Sequence, residues 1–417
     1  MLNLLNPEEI NDLTNQLLAD GGRADLPQAV LAEFTDNVET FRHGWGVAFA
    51  RFGRGLAGEL AYQDLLLDFR EKIVPVVNRH LHEDSQYAAE KILCFLEPPA
   101  DERKRLDQHL LQLRARVFRA AANNAASVPP PEFDRPVFIV SAPRSGSTLL
   151  FETLSRFPEL WTIGMESHEV VEGIPALHPA AHGYGSNCLG AADAAPEAVA
   201  SLRERFTRQL RDHDGQTYVS LPPEMRPAAV RFLEKTPKNA LRIPFLKAAF
   251  PGARFLFLYR EPCGNISSML EGWRARRFSF YSRLPGWPHR TWCFMLIPGW
   301  RELHSRPLVE IAARQWRFTN ERILDDLQQL PASDWLRVNY ADLIQEPGKT
   351  VRDIARFADW RWHDNVDQHV ADTLPVSSMT LSTPHPEKWR KHADELELVL
   401  PGLDSLVARI AAGQGGA

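Results

Sequence analysis

The chain is poor in cysteine and has no long hydrophobic run. Its 417 residues include four cysteines, none of them in a C-x-x-C pair, which argues against a disulfide framework and is typical of reduced thiols. No apolar run reaches the roughly 18 residues that a membrane-spanning helix needs, and the first residues lack the basic and apolar segments of a signal peptide. We therefore expect a cytoplasmic protein with no transmembrane segment.

An excess of positive charge is also lacking. The chain has 48 Lys and Arg against 53 Asp and Glu, a net charge of −5, which argues against a general nucleic-acid-binding protein. Hydrophobic residues make up 44% and charged residues 24%, as in ordinary soluble enzymes. Any anionic ligand must therefore be bound by a local cluster of basic residues.

The sequence pattern changes at a proline-rich stretch. Residues 1–128 carry apolar residues at helical spacing and predict a mostly helical N-terminal domain. Three consecutive prolines cannot continue a helix, so residues 129–135 are interpreted as a linker. We expect the main domain over 136–400, followed by a C-terminal helix and a flexible tail over 401–417.

The main domain alternates between short apolar runs and helical patterns. Val137–Val140, residues 253–260 and residues 335–340 read as buried strands, and each precedes a helix-like segment. This order is typical of parallel sheets. The sequence thus predicts an α/β fold, a P-loop-like parallel sheet flanked by helices.

The first of these strands runs into a phosphate-binding type of loop, SAPRSGST, over residues 141–148. A helix start gathers unpaired backbone N–H groups, and Gly146 allows a close approach of an anion. A nucleoside-triphosphate loop reads G-x-x-x-x-G-K-[ST], but Ser147 occupies its lysine position and the only cation is Arg144. We expect an anion that is neutralised by protein cations, with no metal.

The second strand ends in a further basic motif, FLYREPCGNISSML. Arg260 lies at the carboxyl end of the strand, where open α/β sheets bind ligands. Ser268 follows eight residues later in the next helix. Alone, this spacing fits a structural salt bridge equally well.

Together these motifs resemble the sulfotransferases that use 3′-phosphoadenosine-5′-phosphosulfate (PAPS) and release the corresponding bisphosphate (PAP). VFIVSAPRSGSTLL is similar to their 5′-phosphosulfate loop and FLYREPCGNISSML to their 3′-phosphate motif. LRVNYADLIQEPGKTVRDIARF and EKWRKH resemble two later segments, although Ala341 stands where the family usually has Glu. The resemblance is to the bacterial and tyrosylprotein-like branch, because the loop cation is arginine.

The resemblance implies roles for individual residues. The 5′-phosphosulfate would be bound by Arg144, Ser145, Gly146, Ser147 and Thr148. The 3′-phosphate would be bound by Arg260 and Ser268. Further nucleotide contacts are expected from Tyr340, Lys388 and Arg390.

Related enzymes place a glutamate base one helix after the loop, and Glu166 occupies that place. His168 is the alternative, because the ordinary pKa of histidine suits base catalysis near neutral pH, and Glu169 and Glu172 also lie in this segment. Lys235 is expected near the leaving group; the alternative is a surface lysine in a turn that leads into a helix.

An aromatic stretch is the expected wall of the acceptor site. Its proposed members are Trp273, Phe278, Tyr281 and Trp287. Such a wall favours an apolar acceptor, although aromatic stretches also form cores. The sequence predicts metal-independent sulfuryl transfer to a hydroxyl of a small or carrier-bound acceptor, and leaves a homodimer open. The alternatives are an atypical phosphotransferase and a non-catalytic nucleotide-binding protein.

Overall fold

The structure is a computed structural model, and it describes residues 128–412 except 276–277, 283, 290, 378 and 380–384. The predicted N-terminal helical domain lies outside the described residues, apart from its last residue.

The described part is built on a parallel sheet of six strands. The strands are β1 (Glu132–Phe133), β2 (Val137–Val140), β3 (Leu160–Trp161), β4 (Ala229–Lys235), β5 (Arg254–Tyr259) and β8 (Trp335–Asn339). Their order is β1-β4-β2-β5-β8, and β3 also pairs with β4. All of these pairs are parallel. A separate antiparallel pair consists of β6 (Ser279–Ser282) and β7 (Thr291–Cys293).

Helices connect and flank the strands. They are α1 (Ser147–Leu154), α2 (His168–Glu172), α3 (Pro196–Gln209), α4 (Ile243–Ala249), α5 (Pro262–Arg274), α6 (Leu308–Leu327), α7 (Tyr340–Gln345), α8 (Pro347–Ala358), α9 (Asp364–Val370), α10 (Ala393–Glu397) and α11 (Asp404–Ala412). Within the described residues, none of them has the length and apolar character of a membrane-crossing helix.

The sheet separates two apolar clusters. Successive residues of β2 alternate between them: Phe138 and Val140 belong to one cluster, Val137 and Ile139 to the other. A strand packed on both faces needs a continuous apolar run, which is why VFIV contains no polar residue. The predicted parallel α/β fold with flanking helices is confirmed.

The three predicted strands are found at almost the predicted positions, but β1, β3 and β4 of the same sheet and the separate β6–β7 pair were missed. β4 lies between β2 and β1 in the sheet. Its sequence, AVRFLEK, carries three charged residues and fits neither an alternating nor a continuous apolar pattern. β1 lies inside the stretch interpreted as a linker and pairs with β4, so the end of that stretch belongs to the sheet.

Candidate active site

The loop between β2 and α1 has an unusual backbone. Arg144 and Gly146 both have positive φ angles, 66° and 96°. Gly146 is the N-terminal cap residue of α1, and no side chain caps this helix. A Cβ atom on Gly146 would lie 2.4 Å from a ring carbon of Tyr340. The aromatic ring therefore covers the loop at a position where only glycine fits.

Helix α5 holds this loop in place. The Ser145 hydroxyl lies 2.9 Å from both the Ala142 carbonyl oxygen and Asn265 Oδ1. Asn265 Nδ2 donates to the Pro143 carbonyl oxygen at 2.7 Å. Asn265 was not among the predicted site residues, because an asparagine within a helix gives no signal of its own.

The structure brings the two predicted phosphate motifs together. Arg144 Nε donates to Ser268 Oγ at 3.3 Å, and Arg260 Nη1 donates to the Arg144 carbonyl oxygen at 3.4 Å. The Arg144 guanidinium lies over the ring of Phe278, and that of Arg260 lies over Tyr340, at 4.6 and 4.7 Å from the ring centres. Two cations thus converge at the carboxyl ends of β2 and β5.

Two buried polar atoms at this edge have no hydrogen-bond partner within the described residues. They are Ser141 Oγ and Arg260 Nε. Buried donors normally have partners, and both atoms suit the oxygens of a phosphate or sulfate. The residues present therefore fit an anionic ligand. Among the described residues there is no group of three or more His, Cys, Asp or Glu side chains that could hold a metal ion.

A chain of contacts leads from α1 to the predicted base. Lys235 Nζ, at the end of β4, donates to Thr148 Oγ1 at 3.2 Å and to Glu166 Oε1 at 2.5 Å. The other carboxylate oxygen, Glu166 Oε2, lies 2.6 Å from His168 Nε2. Lys235 is thus the last residue of a strand, 5% exposed, rather than part of a surface turn.

These contacts change the pKa values of both candidate bases. Burial would raise the pKa of Glu166, but the hydrogen bond from His168 and the charge of Lys235 outweigh it and lower the pKa to about 2. Burial lowers the pKa of His168, and the hydrogen bond to Glu166 opposes this change. At neutral pH, Glu166 is therefore ionised and accepts a hydrogen bond from Nε2–H of His168.

A second polar cluster lies behind His168; the sequence analysis named its Glu172 as an alternative base but missed the cluster around it. Glu172 accepts from Lys238 Nζ at 2.9 and 3.0 Å and from Arg242 Nη2 at 2.6 Å. It also accepts from the Tyr281 hydroxyl at 3.2 Å. Burial would raise the pKa of Glu172, but the charges of Lys238 and Arg242 and the hydrogen bond from Lys238 outweigh it and lower the pKa to about 2. Since Glu172 and Lys238 are 66 residues apart, no local pattern could reveal the pair.

The four predicted wall residues are all buried. Their exposed fractions are 8% for Trp273, 8% for Phe278, 8% for Tyr281 and 7% for Trp287. The indole of Trp273 donates to Gln315 Oε1 at 3.0 Å, and that of Trp287 to the Thr291 carbonyl oxygen at 3.2 Å. Both tryptophans therefore pack as core residues with their N–H groups satisfied.

Phe280, in the same stretch, differs from these four. It is 38% exposed, and its ring centre lies 4.4 Å from that of His168. Lys238 Nζ lies 4.9 Å from its ring centre. Phe280 is the aromatic residue that borders the Glu166–His168 pair.

The predicted C-terminal cations contact acidic side chains. Lys388 Nζ lies 2.8 Å from Glu271 Oε2, near the end of α5. Arg390 Nη2 donates to Glu387 Oε1 at 2.7 Å, and its side chain is 65% exposed. Lys388 is thus linked to the helix that carries Ser268, whereas Arg390 is a surface residue.

The comparison with protein families identifies the class. The sulfotransferase family matches residues 136–364, more than half of the chain. The chain belongs to the sulfotransferase family. The reaction of this family is sulfuryl transfer. An uncharacterized protein from Aquifex aeolicus is 22% identical over 282 residues, 64% of this chain, and the chain spans about a third of that relative's length (32%).

Solved sulfotransferases are similar at low sequence identity. One from Mycobacterium avium is 13% identical, with a TM-score of 0.42 over 90% of this chain and 98% of that chain. One from Alicyclobacillus acidocaldarius is 17% identical, with a TM-score of 0.37 over 69% and 98%. A mouse sulfotransferase complexed with PAP is 11% identical, with a TM-score of 0.38 over 68% and 87%.

Proposed function

We propose that this protein transfers the sulfuryl group of PAPS to a hydroxyl acceptor, with Glu166 as the base and without a metal. The observation that carries the proposal is the position of Lys235, whose Nζ contacts both Thr148 of α1, the helix expected to bind the anion, and Glu166. A single cation thus links the expected site of the leaving group to the base. This arrangement suits a reaction in which negative charge develops on the leaving phosphate oxygen while a proton leaves the acceptor oxygen.

The donor site would use backbone and side chains differently. The first turn of α1, the backbone of Ser145 and the hydroxyls of Ser147 and Thr148 would hold the 5′-phosphosulfate, since the Ser145 hydroxyl donates within the protein. Arg260 and Ser268 would hold the 3′-phosphate, with Tyr340 stacked on the Arg260 guanidinium. When bound, PAPS supplies an activated sulfuryl group on a phosphate leaving group.

Arg144 would join the two parts of the donor site. Its backbone belongs to the loop, while its Nε contacts Ser268. Lys388 would add a charge from the C-terminal segment, and Arg390 would contribute least because it is exposed.

Glu166 would take the acceptor proton while the acceptor oxygen forms its bond to sulfur and the bond from sulfur to the phosphate oxygen breaks. A carboxylate with a pKa of about 2 is a weak base while it is paired with Lys235. If Lys235 turns toward the charge that develops on the leaving phosphate, Glu166 loses its closest cation and becomes more basic. His168 remains the alternative base, and its contact with Glu166 favours a supporting role.

The acceptor would approach along Phe280, which is exposed and borders the base. An apolar or aromatic group beside the reacting hydroxyl fits this side chain. The buried wall residues, such as Trp273 and Trp287, would support that surface from behind. A small molecule and a carrier-bound group are equally compatible with it.

The experiment is to incubate the protein with radiolabelled PAPS and a panel of hydroxyl compounds, and to identify the labelled product by mass. Transfer should be unaffected by a metal chelator, which separates this proposal from a phosphotransferase. Glu166→Gln should keep PAP binding and lower turnover by about 10²- to 10⁴-fold, while Glu169→Gln, an exposed neighbour, should change neither. If His168→Gln abolishes turnover and Glu166→Gln does not, the base assignment is wrong.

A further inference from the structure

A buried carboxylate that the proposed mechanism does not use lies directly beside Lys235. Glu234 is the penultimate residue of β4 and is 0% exposed. Its partners are neutral groups: the Thr236 hydroxyl and Asn239 Nδ2, the latter at 2.8 Å, together with the hydroxyl of Ser167. Burial raises the pKa of Glu234. The charge of the adjacent Lys235 offsets this effect of burial only in part, and a buried carboxyl destabilises a fold unless its hydrogen bonds are well satisfied.

The partners of Glu234 converge on the segment that carries the base. The backbone N–H of Ser167 donates to Thr236 Oγ1 at 2.6 Å, and Asn239 Nδ2 lies 3.3 Å from Ser167 Oγ. Ser167 stands between Glu166 and His168 in the sequence. The backbone position of Ser167 therefore determines the positions of the Glu166 and His168 Cα atoms.

The direction of these hydrogen bonds depends on the carboxylate. The Thr236 hydroxyl donates to Glu234 Oε1. The lone pairs of Thr236 Oγ1 then remain to accept from the N–H of Ser167. Asn239 Nδ2 is likewise directed at Glu234, which leaves Asn239 Oδ1 to accept from Arg242 at 3.3 Å. One carboxylate thereby orients both the Thr236 hydroxyl and the Asn239 side-chain amide.

We infer that Glu234 is a positioning residue, which acts through Thr236 and Ser167 to hold the Glu166–His168 pair against Lys235. Segment 166–168 is then fixed from two sides by neighbouring residues of one strand: Lys235 binds the Glu166 side chain, and Glu234 binds the Ser167 backbone through Thr236. The inference rests on the proposed function, since it concerns the base of that reaction.

The direct test is Glu234→Gln. The amide places an NH₂ group against either the Thr236 hydroxyl or Asn239 Nδ2, so one of the two contacts must reverse or break. We expect turnover to fall by about 10- to 100-fold, as for a small misplacement of a catalytic group, with PAP affinity unchanged. Asp326→Asn is the matched control, because Asp326 is also a largely buried carboxyl with a raised pKa, paired with Arg322 on α6.

A second readout does not require turnover. The groups around His168 are Glu166, Glu172 and Lys238, and among them Glu166 raises the pKa of His168 through a hydrogen bond. If Glu166 moves away, the pKa of His168 measured by NMR should fall below its wild-type value. This shift should occur in Glu234→Gln and not in Asp326→Asn. A merely structural role would lower thermal stability without moving this titration.

Two further variants keep the test decisive if Glu234→Gln folds poorly. Thr236→Val removes the oxygen that accepts from Ser167 and should reproduce both effects. Thr236→Ser retains that oxygen and should keep the turnover and the His168 titration of the wild type. Unchanged turnover and an unchanged His168 titration in Glu234→Gln and Thr236→Val would overturn the inference. If wild-type protein transfers no sulfuryl group and the titration still shifts, the proposed reaction fails while the positioning role stands.

Discussion

The two β–α junctions of the site begin their helices in different ways. At the β2–α1 junction the cap residue is Gly146, with φ of 96° and no side-chain cap. At the β5–α5 junction the cap residue is Glu261, whose carboxylate accepts from the Gly264 N–H at 2.8 Å. Helix α5 therefore has an anion of its own chain at its N-terminus, and α1 does not.

This difference assigns different means of anion binding to the two junctions. An uncapped helix start offers backbone N–H groups and the positive end of the helix dipole. A start already capped by a carboxylate has to bind an anion through side chains, here Arg260 and Ser268. Loss of a side chain should therefore affect the second junction more than the first, whereas a change of backbone geometry should affect the first junction most.

The largest effect is expected for Gly146→Ala. The added Cβ would meet the Tyr340 ring at 2.4 Å in a backbone conformation that disfavours alanine. We expect affinity for both PAP and adenosine 5′-phosphate to fall by about 100-fold or more, since roughly 3 kcal/mol of strain or displacement acts on the shared phosphate site. Isothermal titration calorimetry measures both affinities.

Gly215→Ala is the control for backbone strain alone. Gly215 has φ of 83°, with no atom within 4 Å of an added Cβ. The Gly215→Ala variant should lose some stability and should keep its affinity for both nucleotides. If Gly146→Ala binds both nucleotides as wild type does, the first junction does not bind the 5′-phosphate.

A smaller and selective effect is expected for Arg260→Ala. Removal of a charge-assisted contact to the 3′-phosphate should weaken PAP by roughly 10- to 100-fold and leave adenosine 5′-phosphate unchanged. Arg254→Ala, at the other end of β5 and paired with Asp359, should leave both affinities intact. Equal losses for the two nucleotides in Arg260→Ala would show that the junctions are not separate in function.

Two carboxylates of the site, Glu172 on α2 and Glu261 at the β5–α5 junction, should also respond to acid differently. The pKa of Glu172 is lowered from 4.5 to about 2, whereas burial raises the pKa of Glu261. A lowered pKa stabilises the fold above pH 4.5, and this contribution is lost as the pH falls toward 2. Glu172→Gln should therefore flatten the dependence of the unfolding free energy on pH in this window.

Glu261→Gln should change the pH dependence of the unfolding free energy in the opposite direction. A raised pKa in the folded state gives a contribution that is present below pH 4.5 and disappears as the pH rises through the raised value. Chemical denaturation at a series of pH values measures both variants. Identical slopes for the two variants would contradict the pKa assignments.

The smallest effect is expected for Arg390→Ala. Arg390 is exposed and pairs with Glu387 within its own segment, and exposed ion pairs contribute little. We expect PAP affinity to change by less than about threefold. A tenfold loss would show that a side chain of the C-terminal segment also contacts the 3′-phosphate.

The fold was predictable where its strands are apolar. Val137–Val140 and the strand within residues 253–260 carry continuous apolar runs because both faces of the sheet are covered. β4 could not be recognised in this way, since Glu234 and Lys235 are polar residues that are buried by virtue of their partners. Glu166, which binds Lys235, lies 69 residues earlier in the chain.

The site was predictable as a set of motifs and not as a network. The family resemblance of the motifs that contain Arg144, Arg260 and Ser268 implied a nucleotide with two phosphate positions, and the structure brings these residues into contact. The cluster of Glu172, Lys238 and Arg242 had no signal, because its contacts depend on how β4 and α2 meet in three dimensions. Long-range pairing of charges cannot be read from local periodicity.

The transfer of labelled sulfur from PAPS is the most direct test of the central claim. Wild-type protein, incubated with radiolabelled PAPS and hydroxyl compounds, should yield one equivalent of PAP for each labelled sulfate ester, and Glu166→Gln should bind PAP without forming the ester. Folded wild-type protein that binds neither PAPS nor PAP would contradict the account.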